Sequence, residues 1–262
     1  MSGLLAGRVV VVAGAGAGLG RQVALGAAQA GAAVVVGGRT TGTNAETVAT
    51  IEGAGGRALA VTADVTSDED GRRLAHAAVE TYGGLDGLVH SAFHSGGMDV
   101  AAVDADLATW QACFDVNLFG ALRVVQAATP ALRRSEHGSV VLIGSQTGRR
   151  VRPGRGDYAV AKAALITLGQ VLATELGPDG VRVNTLVPGR MRGPALLAHY
   201  AQVAESTGTT PADQERAIAA TLALPRMVTD EEAARSVLYL LSPLSAGVTG
   251  QSLDVNAGET FR

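Results

Sequence analysis

The chain contains a single lysine, Lys162, which follows Tyr158 by four residues, while every other member of its 21 Lys and Arg residues is arginine. Lysine carries a compact ammonium whose pKa is easily shifted, whereas guanidinium is a planar fork that stays charged. Side chains at i and i+4 of a helix share one face, and an adjacent ammonium lowers a tyrosine pKa from its ordinary value of about 10. The spacing therefore favours proton-transfer chemistry over the alternative, compositional bias with one lysine left by chance.

A serine precedes this pair at the end of an apolar run. Ser145 directly follows Val141-Leu142-Ile143-Gly144, which reads as a buried strand. Its hydroxyl is thus expected at the carboxyl edge of the sheet, where a bound carbonyl group can accept a hydrogen bond. Ser145, Tyr158 and Lys162 are the candidate catalytic residues that the sequence alone identifies.

A glycine-rich loop, Gly14-Ala15-Gly16-Ala17-Gly18-Leu19-Gly20, follows the first apolar run and leads into a helical stretch that begins near Arg21. Glycine lets backbone N–H groups approach a pyrophosphate, and the helix N-terminus favours its negative charge. The strict dinucleotide fingerprint is absent, because Leu19 and Arg21 occupy positions that would complete it. The pattern predicts a nucleotide loop, with a flexible turn as the alternative.

Cofactor choice is expected at the end of the second strand, where the sequence reads Gly37-Gly38-Arg39-Thr40. A carboxylate there would bind the ribose hydroxyls of NAD, whereas an arginine fork suits a 2′-phosphate. Arg39 therefore predicts NADP(H) as the preferred cofactor and NAD(H) as the alternative. A solvated surface arginine is the structural explanation that competes with this one.

The elements that position these residues are short β-branched runs separated by longer segments able to form helices. Nearly continuous apolar runs indicate strands buried on both faces, and their alternation with helices indicates right-handed βαβ units. The fold class predicted is α/β: a Rossmann-like doubly wound parallel sheet of about seven strands with helices on both faces. The strand candidates are Arg8 to Ala13, Ala33 to Gly37, Ala58 to Thr62, Leu85 to Ser91, Ser139 to Gly144, Val181 to Val187 and Gln251 to Val255.

Helical spacing is clearest at Asp104 to Leu132, Asp157 to Leu176 and Thr229 to Leu241, where Thr229 or Asp230 can act as the N-cap. Residues 188–226 contain no strand candidate and carry short helical patches. We interpret this segment as a substrate lid within a single domain of residues 1–262, because a strand and a capped helix follow it and complete the same layer.

Composition excludes several other classes of protein. The chain has 262 residues, a net charge of −3 and interspersed charges, so we expect no nucleic-acid partner. Cys113 is the only cysteine, and no spacing of residues indicates a metal site. The start of the chain lacks the pattern of a secretory signal, and no long, strongly apolar, uncharged run is present. We therefore expect a cytoplasmic protein with no membrane partner.

Across nearly all its length the chain resembles the short-chain dehydrogenase/reductase family, in its compact single-domain branch. The resemblance rests on the glycine loop, the Tyr and Lys pair, and several residues at strand and helix ends. They are Gly14, Gly18, Gly20, Asp64, Asn117, Ser145, Tyr158, Lys162 and the run Val187-Pro188-Gly189. Together these motifs are far more specific than any one of them.

The resemblance implies a role for each residue. Tyr158 would exchange a proton with the substrate oxygen, Ser145 would orient that oxygen, and Lys162 would also hold the nicotinamide ribose. Asn117 would shape its helix and hold a water on the proton path; a polar residue that bonds buried backbone is the structural alternative. Asp64 would bind the adenine amino group or, alternatively, cap a turn. The implied cofactor-binding residues are Gly14, Gly18, Leu19, Gly20, Arg39, Asp64, Val65, Ala92, Tyr158, Lys162, Pro188 and Gly189.

Some positions depart from the family pattern. Where the family usually reads Asn-Asn-Ala-Gly, this chain has His90-Ser91-Ala92-Phe93. Where the family's glycine motif opens with threonine, this chain has Ala13. Four residues after Gly189, where the family has a threonine that contacts the nicotinamide amide, this chain has Gly193. Only backbone groups are available at that position. Altered cofactor affinity or lid behaviour is the expected consequence, because Ser145, Tyr158 and Lys162 are retained.

The substrate side of the sequence is less informative. Arg149, Arg150, Arg152 and Arg155 lie on the loop before Tyr158, and either an anionic substrate or simple solvation explains them. His94 and His199 are more consistent with structural or exposed positions than with a cleft, and residues Met191, Leu196, Leu197 and Tyr200 line a pocket or pack the lid.

The predicted function is an NADP(H)-preferring oxidoreductase that interconverts a ketone and a secondary alcohol. The alternatives are an NAD-linked dehydrogenase of a hydroxy compound and a non-catalytic dinucleotide-sensing regulator. A homotetramer or homodimer is implied by the resemblance, with the helices at Asp104 to Leu132 and Asp157 to Leu176 and the C-terminal strand as candidate interfaces.

Overall fold

A parallel sheet forms the centre of the molecule in a computed structural model, which describes residues 3–261. Its 7 strands follow the order β3-β2-β1-β4-β5-β6-β9. All seven predicted strands are confirmed. Their ends differ from prediction by a residue or two, because an apolar run does not show which of its terminal residues pair with a neighbouring strand. The strands are β1 (Val9–Ala13), β2 (Ala33–Gly38), β3 (Arg57–Thr62), β4 (Gly87–His90), β5 (Ser139–Ile143), β6 (Arg182–Pro188) and β9 (Ser252–Val255).

Helices cover both faces of this sheet, as predicted for a doubly wound fold. Apolar residues of α1, α2 and α9 form one core with the sheet, and those of α3, α5 and α6 form the other. The described α-helices are α1 (Leu19–Gln29), α2 (Thr41–Gly53), α3 (Asp68–Tyr82), α4 (Leu107–Phe114), α5 (Gly120–Leu132), α6 (Gly156–Leu176), α7 (Pro194–Thr207), α8 (Pro211–Ala219) and α9 (Asp230–Leu241). Because strands β1, β2, β4 and β5 are apolar on both sides, each needs a helix on either face.

The helix predicted from Asp104 to Leu132 is interrupted in the structure. Between α4 and α5 lies a π-helical segment, Asp115–Phe119, with Asn117 at its centre. A π-helical turn holds an extra residue within a continuous helix. The helical periodicity of the sequence survives on either side, which is why a single helix was the natural prediction.

The segment predicted as a lid contains helices α7 and α8 and one element that the prediction missed. Met191–Arg192 forms a two-residue strand, β7, which pairs in parallel with β8 (Val228–Thr229). Directly after β8, Thr229 caps α9: its hydroxyl accepts from the Glu232 N–H at 3.2 Å, and the Glu232 carboxylate accepts from the Thr229 N–H at 3.0 Å. The lid role of residues 188–226 stays a prediction.

One described helical stretch, Gly156–Asp179, is long and apolar enough to cross a membrane by length and composition. It is also the helix that carries Lys162, and its buried face packs against the sheet in the core shared with α3 and α5. These contacts are those of a core helix in a globular α/β fold.

Candidate active site

The crevice lies where the strand order reverses. β1 pairs with β2 on one side and with β4 on the other, and the chain continues from β1 into α1 on one face of the sheet and from β4 toward α5 on the other. Gly14 has φ of +94°, and a Cβ there would lie 2.1 Å from the Ala92 backbone N. The Ala92 N–H donates to the Ala13 carbonyl at 3.0 Å. Only glycine permits this contact between the two loops at the edge of the crevice.

The glycine loop leads directly into α1. A Cβ at Gly20 would lie 2.1 Å from the Gly14 carbonyl oxygen, so the loop folds tightly onto the first turn of the helix. Gly18 is the N-cap and forms no side-chain cap, and the first turn carries no acidic residue. The free N–H groups and the helix N-terminus fit a pyrophosphate, and Leu19 begins the helix beside them.

The adenine side of the crevice holds the predicted selectivity residues. Arg39 is exposed at the end of β2. One carboxylate oxygen of Asp64 accepts hydrogen bonds from the Thr66 N–H and hydroxyl, each at 2.9 Å. Burial acts to raise the pKa of Asp64, but these hydrogen bonds and the charge of Arg39 outweigh it and lower that pKa. Turn capping, the structural alternative, is thus present, while Val65 is buried in the core.

Ser145 is held at the end of β5 by the turn that follows it. It is the N-cap of a 3-10 turn, Gln146–Gly148, and its hydroxyl accepts from the Thr147 N–H at 3.1 Å. A Cβ at Gly148 would lie 2.7 Å from the Ala163 backbone N, so this turn packs directly on α6. The contact brings the serine loop against the helix that carries Tyr158 and Lys162.

Lys162 is 1% exposed and donates to the Ile143 carbonyl at 2.8 Å through its ammonium group. Burial lowers its pKa to about 7, with the Cys113 thiol acting in the opposite direction. The ammonium lies 5.7 Å from the centroid of the Tyr158 ring, as expected for residues at i and i+4. The structure thus brings the tyrosine and the lysine together.

The direction of the Tyr158 pKa differs from the sequence prediction. Burial raises this pKa, and the Ser145 hydroxyl and the charge of Arg155 lower it only partly. The guanidinium carbon of Arg155 lies 5.2 Å from the ring centroid, a contact that the sequence analysis did not anticipate. The Cys113 thiol acts in the same direction as burial, and Lys162 is not among the groups that lower this pKa.

Asn117 is fully buried and bonds backbone groups. Its amide group donates to the carbonyl oxygens of His94 and Cys113, both at 2.8 Å, and its amide oxygen accepts from the His94 N–H at 3.4 Å. The structural alternative considered for this residue therefore describes its side-chain contacts. They tie the π-helical segment to the loop that follows β4.

His90, which departs from the family pattern, ends β4 in the core. It is fully buried, and neither ring nitrogen has a hydrogen-bond partner among residues 3–261. Burial first and the charge of Lys162 second lower the pKa of His90 to about 3, while its own backbone acts the other way. A neutral, unpartnered imidazole thus lies near the candidate catalytic lysine.

Asp157 is a positioning residue that the sequence analysis missed. Its carboxylate accepts from the Gly97 N–H and from the Tyr158 N–H, each at 2.7 Å. It therefore joins the loop after β4 to the first turn of α6. The sequence signal that could have identified it is an aspartate in the first turn of a predicted helix, directly before a candidate catalytic tyrosine.

The arginine loop contacts the C-terminal part of the chain. Arg149 forms an ion pair with Asp254, and Arg152 lies 3.3 Å from the buried carboxylate of Glu259. Arg190, after β6, reaches the same carboxylate at 3.9 Å. Arg150 is exposed. Neither of the two explanations from sequence included this internal pairing.

The remaining candidates are distributed around the crevice. Gly189 follows Pro188 at the end of β6, and a Cβ there would lie 2.7 Å from the Asn256 Cβ. Phe93 is 58% exposed. Among described residues only Asp99 and Ala257 are non-glycine residues with positive φ, so Phe93 has an ordinary backbone.

The side chains considered for the substrate pocket have structural contacts instead. The His94 ring accepts from the Gly96 N–H at 3.0 Å, and His199 is exposed. Tyr200 is buried and donates to the Met227 sulfur at 3.6 Å, while Met191 and Leu196 pack on the same core. This packing accounts for Leu196 and Tyr200 of α7 without a ligand.

Sequence comparison gives a family match over almost the whole chain. The model of a family described as enoyl-(acyl carrier protein) reductase matches residues 14–260. The short-chain reductase protein NovJ of Streptomyces niveus is 34% identical over 95% of this chain and 93% of its own length. The L-rhamnose 1-dehydrogenase (NAD(P)(+)) of a Sphingomonas species is also 34% identical, over 97% of each chain.

Structural comparison agrees with these matches. A short-chain type dehydrogenase/reductase from Mycobacterium ulcerans superposes with a TM-score of 0.88 at 30% sequence identity. The match covers 99% of this chain and 91% of the other. The likeness therefore extends over the sheet, both helical layers and the loops that form the crevice.

Proposed function

The chain belongs to the short-chain dehydrogenase/reductase family of NAD(P)-dependent oxidoreductases, and from that premise we propose that it interconverts a ketone and a secondary alcohol with NADP(H) as preferred cofactor. The observation that carries the proposal is the convergence of Ser145, Tyr158 and Lys162 at the carboxyl end of β5, on the edge of the sheet where the glycine loop also leaves β1. A carbonyl oxygen bound in this crevice would face the Tyr158 phenol, which can act as the acid, and the Ser145 hydroxyl, which can donate a hydrogen bond.

The residues present fit a dinucleotide. The cradle formed by Gly14, Gly18 and Gly20 lacks the side chains that would block a pyrophosphate, and the first turn of α1 supplies N–H donors to it. Lys162 lies where a nicotinamide ribose would meet the end of β5. Leu19, Val65, Ala92, Pro188 and Gly189 belong to the loops around this path and are proposed to line it.

In the proposed reduction, Tyr158 donates its phenolic proton to the carbonyl oxygen while Ser145 donates a hydrogen bond to the same oxygen. When bound, the nicotinamide supplies hydride to the carbonyl carbon or accepts it in the reverse direction. The raised pKa of Tyr158 keeps the phenol protonated at neutral pH, as a general acid requires. In alcohol oxidation Tyr158 must first lose that proton, which the nearby Arg155 favours.

In this proposal Lys162 and Asn117 support the tyrosine without contacting the substrate carbonyl. With a pKa near 7, Lys162 can exchange a proton with a neighbouring group at neutral pH as well as bind ribose hydroxyls. Through its hydrogen bonds to the His94 and Cys113 carbonyls, Asn117 fixes the position of the π-helical segment relative to the loop after β4. Its role on a water path is part of the proposal and is supported only by its position.

Arg39 supports NADP(H) over NAD(H). Its exposed guanidinium lies at the end of β2, and no carboxylate occupies that strand end. Asp64 is nearby but is engaged with Thr66, so it is a weaker partner for ribose hydroxyls. The alternative, an NAD-linked dehydrogenase of a hydroxy compound, requires the ribose to be held by backbone groups instead.

We also propose a cytoplasmic homo-oligomer, a homotetramer or a homodimer, with a small-molecule substrate and no nucleic-acid or membrane partner. Exposed apolar side chains on the predicted interface helices support the oligomer: Leu107, Phe119, Val160 and Val171 are each at least 45% exposed. Their burial against a second copy would remove apolar surface from water. Sedimentation velocity at several concentrations tests this assembly.

The first experiment is a paired titration of the purified protein with NADPH and NADH, followed by nucleotide fluorescence at moderate salt. Tighter binding of NADPH, with turnover of one or more members of a ketone panel, is the expected result. A preference for NADH would contradict the assignment to Arg39 and direct the search toward alcohol oxidation. Failure to bind either nucleotide would contradict the proposed function.

A further inference from the structure

Asp230, the first residue of α9, occupies the space above Gly193. A Cβ built on Gly193 would lie 2.5 Å from one carboxylate oxygen of Asp230 and 2.9 Å from the other. Gly193 has φ of −127° and ψ of 174°, an extended conformation that any residue adopts. The carboxylate, and not the backbone, is therefore what excludes a side chain at position 193.

The same carboxylate also faces the nucleotide loop. A Cβ built on Gly18 would lie 3.5 Å from the Asp230 oxygen nearer to it. Gly18 caps α1 after β1, and Gly193 precedes α7 after β6. Asp230 thus lies between the loop that fits the pyrophosphate and the segment that leaves β6 on the catalytic side.

Asp230 is buried without a compensating partner. It is 7% exposed, and no hydrogen bond or ion pair to its carboxylate forms within residues 3–261. A buried carboxylate that lacks a donor carries a large desolvation penalty, so such groups usually have a partner. The fold provides none, and the carboxylate faces the crevice.

Gly193 follows β6, and Ser145 follows β5, its neighbour in the sheet. A dinucleotide with its pyrophosphate on the glycine loop and its reactive ring near Ser145 would therefore extend past Gly193, and the Asp230 carboxylate would lie beside its nicotinamide half. The exocyclic carboxamide is the N–H donor of the nicotinamide half, whose other donors are the ribose hydroxyls. A hydrogen bond from an amide N–H to a carboxylate is charge-assisted, and a cofactor analogue without the amide N–H distinguishes the two kinds of donor.

We propose that Asp230 accepts a hydrogen bond from the nicotinamide carboxamide and so takes over, from a different element, the contact for which Gly193 has no side chain. The inference rests on the proposed dinucleotide-dependent function. It also explains why Gly193 and Asp230 occur together: glycine leaves space at position 193, and the Asp230 carboxylate fills that space.

Burial first and the charge of Glu231 second raise the pKa of Asp230 from its ordinary value. Either oxygen of a neutral or an ionised carboxyl group can accept from an amide N–H.

The test compares ligands with and without the nicotinamide ring, by calorimetric or fluorescence measurement of Kd in the wild type and Asp230→Ala. NADPH and NADH are the complete ligands, and 2′-phospho-ADP-ribose and ADP-ribose are their truncated counterparts. We expect Asp230→Ala to weaken the complete ligands by roughly tenfold to a hundredfold, the usual effect of one charge-assisted hydrogen bond. The truncated ligands should bind both proteins equally, which also shows that the variant is folded.

Two further measurements separate the hydrogen bond from a packing effect. Asp230→Asn keeps an acceptor oxygen but loses the negative charge, so its Kd for NADPH should lie between those of the wild type and Asp230→Ala. The 3-acetylpyridine analogue of NADPH has no amide N–H, so Asp230→Ala should not change its Kd. Equal losses with this analogue and with NADPH would overturn the proposed contact.

A double-mutant cycle provides an independent test. Gly193→Thr alone should weaken NADPH binding, because its Cβ meets the Asp230 carboxylate, whereas Gly193→Thr in the Asp230→Ala background should recover much of the lost affinity. Additive losses in the double variant would overturn the inference. If neither complete nor truncated ligands bind the wild type, the proposed function fails and this inference with it; if only the Asp230 comparison fails, the function stands.

Discussion

The two ends of the crevice are built in opposite ways. At the catalytic end, Lys162, Asn117 and His90 are buried, and the first two are tied to backbone carbonyls of neighbouring elements. At the adenine end, Arg39 is an exposed side chain at the end of a strand. In the proposed function, the chemistry would therefore depend on the packed core, whereas cofactor selectivity would depend on an exposed residue that can be exchanged without disturbing the fold.

The difference follows from the free energy of burial. A lysine loses much of its hydration in the core, so its position must be stabilised by a specific acceptor, here the Ile143 carbonyl. An exposed arginine loses little hydration and gains its partner only with the ligand. Substitutions at the two ends should consequently separate turnover from cofactor preference.

The largest expected effect is the loss of the general acid in Tyr158→Phe. Removal of the phenolic proton should lower kcat/KM by about 10²- to 10⁴-fold while the Kd for NADPH changes little. Steady-state kinetics and nucleotide titration measure the two quantities. Tyr82→Phe, on α3, is the matched control and should retain activity. Unchanged turnover in Tyr158→Phe would show that another group transfers the proton.

At the adenine end, Arg39→Ala should weaken NADPH binding by roughly tenfold to a hundredfold and leave NADH binding nearly unchanged, because only the 2′-phosphate loses its charged donor. The turnover number at saturating cofactor should be preserved. Arg72→Ala, another exposed arginine, is the control. Equal losses for the two nucleotides would contradict the contrast between the two ends.

His90 tests whether burial at the catalytic end is costly. Its pKa of about 3 in the folded chain lies below the ordinary value, 6.5, so the unfolded chain binds more protons between these pH values. Stability should therefore fall as pH drops from about 6.5 toward 3, by up to about 1.4 kcal/mol per pH unit. Urea unfolding at pH 7 and pH 5 should show a loss about 2 kcal/mol smaller in His90→Asn than in the wild type.

The matched control for this change is His137→Asn, which alters an exposed histidine. It should retain the acid sensitivity of the wild type. The same acid loss in His90→Asn as in the wild type would show that the buried imidazole is not the group responsible.

The smallest expected effect concerns the arginine loop. Arg152→Ala should lower stability by less than about 1 kcal/mol, because the Arg152 side chain is 43% exposed and Arg190 still faces the buried Glu259 carboxylate. If the loop serves the C-terminal part of the chain, KM should be the same for neutral and anionic ketones. A rise in KM confined to anionic ketones would instead support substrate binding by these arginines.

Local sequence patterns were sufficient for the sheet and for the catalytic helix. Apolar runs such as Val9–Ala13 predict buried strands because their burial is decided by the residues themselves. Likewise, the i, i+4 spacing of Tyr158 and Lys162 guarantees one helical face.

Features that depend on distant contacts were not predictable from such patterns. Burial raises the pKa of Tyr158 against the opposing charge of Arg155. The π-helical segment is tied to a loop some twenty residues earlier through Asn117 and His94. The proximity of Asp230 to Gly193 joins residues from two elements far apart in the chain. Periodicity carries no information on such encounters.

The pairing of the arginine loop with the C-terminal part of the chain has a practical consequence for handling the protein. Asp254 and Glu259 are connected by ion pairs to residues a few positions after Ser145. A fusion partner or immobilisation tether attached at the carboxyl end would transmit mechanical load to that loop, whereas a surface attachment on α3 would not. Biosensor or biocatalyst formats that anchor the enzyme should therefore choose the attachment point accordingly.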